Sequence, residues 1–154
     1  MRILFVCHGN TCRSPAAEAL VRKMAIDAGL DLHLDSAGIS ADRLGAAPTP
    51  AMQDLAQKAG YNMAGLKARK TARTDYEDFD LIIGMDNSVV AKLITDRPAQ
   101  ASTRITGFMQ YPDSSGPNEI ADPWHTGDYP TAFDLIQKAA KALIVKLQSD
   151  QPRQ

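Results

Sequence analysis

The chain opens on an unbroken apolar run, Ile3-Leu4-Phe5-Val6-Cys7, preceded by Arg2 and followed by the turn-forming residues His8-Gly9-Asn10. A short apolar run without polar alternation marks a strand covered on both faces, so the pattern predicts a buried parallel strand over 2–7. From Ser14-Pro15 the period changes. Ser14 is a cap-like residue and proline suits the first turn of a helix, along which Ala17, Leu20, Val21, Met24, Ala25 and Ala28 keep one face before Gly29 ends it. A second strand is predicted over 32–37. Thr49-Pro50 then opens a helix with Met52, Leu55, Ala56 and Ala59 inward and Gly60 at its end. Another apolar run spans 79–85, Asp86-Asn87 can cap a helix carrying Val89, Val90, Leu93 and Ile94, and 104–108 is a short fourth strand. From 109 to 128 the chain holds Pro112, Gly116, Pro117, Pro123 and Gly127 without a period, a loop long enough to be read as functional. Tyr129-Pro130 introduces a last helix along Phe133, Ile136, Ala140, Leu143 and Leu147, and 148–154 reads as a polar tail. The six methionines read as core. Strands alternating with helices predict an α/β fold with a parallel, doubly wound sheet.

A length of 154 residues suits one domain over 1–154. Seventeen Lys and Arg against eighteen Asp and Glu leave a net charge of −1, so there is no global positive field for nucleic acid or an anionic membrane, and any anion site must be local. The longest apolar stretches fall far short of the ~20 residues that cross a bilayer. Met1-Arg2 leads straight into the first strand with no apolar leader, so a cytoplasmic protein is expected. Two cysteines make no disulfide framework, and Cys7 and Cys12 lack the spacing of a zinc site, so neither metal nor cofactor is expected.

The local anion site is readable between the first strand and the first helix. In a doubly wound sheet, ligands bind beyond the carboxyl ends of the strands, and the loop there is Cys7-His8-Gly9-Asn10-Thr11-Cys12-Arg13-Ser14. Gly9 and an Asn10 tolerant of left-handed backbone let successive N–H groups curl into a phosphate-sized nest, with the positive end of the helix behind it. Converging N–H dipoles and Arg13 favour the thiolate of Cys7 over its thiol, making it a nucleophile. Arg13 offers a planar fork for two phosphate oxygens, and the Ser14 hydroxyl is placed to donate to the thiolate.

Cys-x5-Arg alone is a weak signal. In its context of strand, His8-Gly9-Asn10-Thr11 and the closure Cys12-Arg13-Ser14-Pro15, the run Val6 to Pro15 resembles the loop V-C-x-G-N-x-C-R-S-P of the low-molecular-weight protein tyrosine phosphatase family. Further matches are Asp35-Ser36-Ala37-Gly38, Gly84-Met85-Asp86 and Asp122-Pro123-Trp124, so the resemblance spans essentially the whole chain. It implies a single-domain, four-stranded parallel sheet flanked by helices, with Cys7 as nucleophile, Arg13 as phosphate clamp and Asp122 as general acid. The implied activity is metal-independent hydrolysis of phosphotyrosine in a protein or peptide, through a phosphocysteine. Asp122 also has its own case: a tyrosine oxygen, whose phenol has a pKa of ~10, leaves poorly without a proton donor. The resemblance further implies that Asn10 and Ser36 hold each other by hydrogen bonds. Trp124 is the expected aromatic wall against the substrate ring, the other reading being a core tryptophan. Cys12 is either a resolving thiol for Cys7 or a small buried side chain at a helix start. His8 follows the nucleophile at the pocket rim or is simply solvated, and His33 reads as strand surface. Lys67, Arg69, Lys70 and Arg73 read as a solvated basic face rather than a dock for acidic phosphopeptides.

Three positions depart from the family pattern. His125 stands where many members carry a second aromatic residue, and Asp42 aligns where they place a further one, so one wall of the pocket is thinner. Thr11 occupies a position often isoleucine in tyrosine phosphatases and threonine in the related protein arginine phosphatases. An arginine phosphatase of the same mechanism is therefore the alternative. Arsenate reduction lacks its relay, since no cysteine follows Cys12. A non-catalytic anion-binding module would need neither Cys7 nor Asp122.

Overall fold

The structure, a computed structural model, describes residues 1–40, 42–113 and 115–151. Strand β1, Arg2–Cys7, is buried along all but its first residue, as its unbroken apolar run requires. It pairs in parallel with β2, His33–Gly38, on one side and with β3, Leu81–Gly84, on the other; β4, Arg104–Gly107, lies beyond β3. The resulting order, β2-β1-β3-β4, reverses direction at β1, and the crevice at such a switch point is where a doubly wound sheet binds its ligand.

Side chains of β1 alternate between two cores. Ile3 and Phe5 pack with helices α1, Arg13–Asp27, α2, Pro50–Lys58, and α6, Tyr129–Ser149. Leu4 and Val6 face the other way, onto Tyr76 of α3, Asp75–Asp78, and Val89 and Leu93 of α4, Asn87–Asp96. Helices thus cover both faces of the sheet, and the rigid floor they make holds the loop after β1 in place. Among the described residues no helix is long and apolar enough to cross a membrane.

Several expectations need correction. Helix α1 begins at Arg13 with Cys12 at its N-cap position, so Ser14 lies inside the first turn and its hydroxyl does not cap the helix. The unpatterned stretch carries two short elements, a 3-10 turn over Phe108–Gln110 and helix α5, Pro123–Thr126. Of the apolar run over 79–85 only Leu81–Gly84 forms the third strand: Phe79 is the C-cap residue of α3. Ile94 is exposed on the outward side of α4, and Ala59 is exposed because it is the C-cap residue just past the end of α2. Met1, at the chain end, is exposed rather than core. The polar tail starts later than expected: Gln148 and Ser149 complete the last turn of α6, and 152–154 lie outside the described residues.

Candidate active site

The loop between β1 and α1 turns on Asn10, whose φ of 57° is the single positive value among described non-glycine residues. Left-handed backbone disfavours side chains with a Cβ, and asparagine tolerates it best because its short amide bonds locally. Here the amide is fully used. Its Nδ2 donates to Ser14 Oγ at 2.8 Å and to Ser36 Oγ at 3.0 Å, and its Oδ1 accepts the Arg69 N–H at 3.0 Å. Ser36 in turn donates to Oε1 of the buried Glu18 at 2.7 Å. The loop's strained turn is therefore held from α1, from β2 and from the segment before α3.

Cys7 Sγ, at the tip of β1, accepts the Asn10 N–H at 3.3 Å and lies 3.0 Å from Ser14 Oγ. Asn10 already donates to that hydroxyl, and of the two acceptors within reach of the Ser14 proton the sulfur is nearer than the Ala37 carbonyl at 3.4 Å. Two donors directed at one sulfur stabilise a thiolate. For Cys12, burial, reinforced by the charge of Cys7, pushes the thiol up to about 12, so it stays protonated at neutral pH. The two cysteines of the loop are chemically distinct despite being five positions apart.

Arg13 is 1% exposed, and its guanidinium is oriented from two directions. Nη1 donates to Asp86 Oδ2 and to the Ile120 carbonyl, each at 2.8 Å, while Nη2 lies 3.4 Å from Asp122 Oδ2. Burial alone would lower its pKa, but the charges of Cys7, Asp86 and Asp122 outweigh that and raise it, so it remains a cation. Nε, fully buried, has no partner among the described residues. The Nε and Nη2 edge of the fork is thus the side left for an anion, the geometry that grips two oxygens of a phosphate. Asp86 serves twice, since its other oxygen caps α4 by accepting the Val89 N–H at 2.8 Å.

Asp122 reaches this centre from the long loop, which is tied to the sheet by the Ile120 N–H donating to the Met85 carbonyl at 2.9 Å. Pro123 fixes the first position of α5, and Asp122 Oδ1 accepts the Trp124 N–H at 3.0 Å, leaving Oδ2 beside Arg13. Cys7, Arg13 and Asp122 line one cavity of about 420 Å³, together with His8, Gly9, Thr11, Cys12, Asp42, Arg43, Thr49, Trp124, His125 and Tyr129. Every side chain expected to meet substrate lines it except Asn10 and Ser14, which are buried behind the loop with Ser36.

Trp124 is 59% exposed at the cavity mouth, so the reading of a core tryptophan falls. Arg69 is not part of a solvated face: it is half-buried and pairs with Asp35 at 3.0 Å and Asp75 at 3.1 Å. Glu18 and Arg43 escaped the sequence reading, and Tyr129, read as the start of the last helix, also lines the cavity. For Glu18 the available signal was a carboxylate four residues before Arg22, on a helix stretch otherwise apolar, and the two do pair at 2.6 Å.

A parallel sheet whose switch point carries a cysteine at the head of an N–H nest, closed by a buried arginine, defines a protein built to bind and attack a phosphate-like group. The comparisons give the family. Residues 2–153 match the family described as low molecular weight phosphotyrosine protein phosphatase, and the chain belongs to it. It is 33% identical over 150 residues to the low molecular weight protein-tyrosine-phosphatase YfkJ of Bacillus subtilis, covering 96% of each chain. The crystal structure of YfkJ superposes with a TM-score of 0.93 over 99% of this chain and 97% of that one. A putative low molecular weight protein-tyrosine-phosphatase of Synechocystis, slr0328, is 34% identical over 152 residues, with 96% of each chain covered. A Drosophila arginine phosphatase is also similar, at 28% identity and a TM-score of 0.90 over 98% of this chain and 100% of that one.

Proposed function

We propose that this protein is a single-domain phosphatase acting on tyrosine-phosphorylated proteins of the cytoplasm, through a phosphocysteine on Cys7. The observation that carries the reading is the Nε and Nη2 edge of Arg13, its Nε unpartnered among the described residues and its Nη1 held by Asp86 and the Ile120 carbonyl, beside Cys7 and Asp122 in one cavity. In the first step the Cys7 thiolate attacks phosphorus in line, forming the S–P bond as the P–O bond to tyrosine breaks. Asp122 gives its proton to the departing oxygen. Negative charge on the equatorial oxygens is met by the loop N–H groups and the arginine fork, in place before the reaction begins. In the second step the Asp122 carboxylate takes a proton from water as that water attacks phosphorus, breaking the S–P bond and restoring the thiolate. Ser14, bound to Asn10, stabilises that thiolate as leaving group. Asn10, Ser36, Glu18 and Arg69 act by holding the loop's shape. Trp124 supplies a face for the phenyl ring, and His8, Asp42 and His125 line the approach.

Hydrolysis of phosphoarginine is the second reading, favoured by Thr11 on the cavity wall. Its hydroxyl can accept a hydrogen bond from a guanidinium N–H, where an isoleucine would leave that donor unpaired. One panel decides. Phosphotyrosyl, phosphoseryl and phosphoarginyl peptides are compared by kcat/KM for the wild type and Cys7→Ser. The expected result is a preference for phosphotyrosine and no turnover by Cys7→Ser, which still binds inorganic phosphate because the nest remains. A tenfold or greater preference for phosphoarginine, about 1.4 kcal/mol, would transfer the assignment to the second reading. Turnover by Cys7→Ser near the wild-type rate would end the thiolate mechanism.

A further inference from the structure

The rim of the cavity carries a cation that the proposed chemistry leaves unused. Arg43 stands on the loop after β2, and its guanidinium carbon lies 4.0 Å from the centre of the Trp124 ring, close enough for the planar cation to stack on the indole face. Both side chains line the cavity that holds Cys7, and both are exposed at its mouth. Among the described residues Arg43 enters no ion pair. The contrast with Arg69, which is paired twice, is what separates a structural cation from an available one.

Stacking changes what such an arginine can do. A free surface arginine gives up most of its attraction for a carboxylate in ordering its own long side chain. One already laid on an indole has its fork fixed in a plane, and among the described residues none of the Arg43 side-chain N–H donors is spent on a protein acceptor. A phosphotyrosyl side chain reaching Cys7 must leave the cavity past Trp124, which brings the peptide residues beside it to these donors.

We infer that Arg43 is a specificity-determining residue, selecting phosphotyrosines that have an acidic neighbour in the peptide, whose carboxylate takes the unspent N–H donors of the stacked guanidinium. The inference rests on the phosphotyrosine reading given above. Asp42 on the same rim opposes Arg43, repelling an acidic neighbour that approaches from its side. Charge alone does not suffice, because a lysine keeps the cation and loses the stacked planar fork.

The test measures kcat/KM on three phosphotyrosyl peptides differing only in the residue next to phosphotyrosine, glutamate, alanine or lysine, at one pH and two ionic strengths. The proteins are the wild type, Arg43→Ala, Arg43→Lys and Asp42→Asn. For the wild type the glutamate peptide is expected to exceed the lysine peptide about two- to fivefold, the range of an exposed but ordered ion pair, and less at high salt. That ratio should fall to near one in Arg43→Ala, fall part of the way in Arg43→Lys and rise in Asp42→Asn. A ratio the same in Arg43→Ala as in the wild type overturns the role of Arg43 while leaving the phosphotyrosine reading intact. Failure of the wild type to hydrolyse any of the peptides overturns both.

Discussion

A single hydroxyl group illustrates how closely chemistry is specified at the residue scale. Ser14 accepts from Asn10 Nδ2 at 2.8 Å and holds its own proton between Cys7 Sγ at 3.0 Å and the more distant Ala37 carbonyl at 3.4 Å; reversing the Asn10 bond would point a lone pair at the thiolate. Asp122 is likewise divided, one oxygen committed to the Trp124 N–H and the other lying 3.4 Å from Arg13. An acid placed in this way acts on the leaving group, so the cost of losing it must scale with how badly that group leaves. Asp122→Asn is therefore expected to slow phosphorylation of Cys7 by ~10²–10⁴-fold with phosphotyrosine. The loss should be much smaller with an aryl phosphate whose phenolate departs unaided. Rapid-mixing measurement of the first turnover isolates the step, since dephosphorylation also draws on Asp122. Equal losses on both substrates would remove Asp122 from the role of acid.

At the scale of elements, the site depends on β2 approaching the phosphate loop with nothing between them. A Cβ added at Gly38, the last residue of β2, would stand 2.7 Å from the His8 carbonyl oxygen, 2.9 Å from Gly9 C and 3.0 Å from Asn10 N. All are backbone atoms, which cannot rotate away, so the loop itself must shift. Gly38→Ala is expected to reduce kcat/KM by ~10²-fold, as displacements near 1 Å do, and to weaken phosphate binding measured by calorimetry. Gly29→Ala is the control: with φ at +70° and no atom within 4 Å, it strains the end of α1 and touches no part of the site. Retention of full activity by Gly38→Ala would mean that the loop relaxes without cost. Elements of this kind differed in how readable they were. Strand β1 announces itself as an unbroken apolar run, and helices α1, α2, α4 and α6 because each is long enough to express a period and most carry a proline or cap at the start. Helices α3 and α5, four residues each, are too short for any period; α3 is held by Arg69 on Asp75 and by the Tyr76 hydroxyl donating to the Leu93 carbonyl, and α5 by its N-cap Asp122, which also meets Arg13.

Over the whole molecule, the same distinction governs the site. Cys7, Arg13 and the nest were legible because they are contiguous, and Asp122 because Asp-Pro-Trp matches a family motif. The supports beyond Ser14 and the Asn10–Ser36 pair were not: Arg69 meets Asn10 across 59 positions and Asp86 meets Arg13 across 73, pairings that only the strand order β2-β1-β3-β4 creates. Glu18 shows what such integration does to stability. It is 4% exposed, takes the Ser36 hydroxyl at 2.7 Å and is reached by Arg22 at 2.6 Å, so it joins α1 to β2 behind the phosphate loop. Burial raises its pKa above the ordinary 4.5, and the bonds from Ser36 and Arg22 offset this only in part. The folded protein therefore holds the Glu18 proton to higher pH than the unfolded chain does. Stability from this residue is complete below the unfolded value and is lost as pH rises from there through the folded value. Glu18→Gln keeps an acceptor for Ser36 and has no such proton to lose. The melting temperature of the wild type minus that of Glu18→Gln is accordingly expected to fall as pH is raised from 4 toward neutrality, then level off, with every other carboxylate cancelling in the difference. In a domain of this size about 2–4 °C corresponds to 1 kcal/mol, within the reach of ordinary thermal scans. A difference that instead grows with pH would show the Arg22 pairing to dominate, with Glu18 charged in the folded state at lower pH than in the unfolded one.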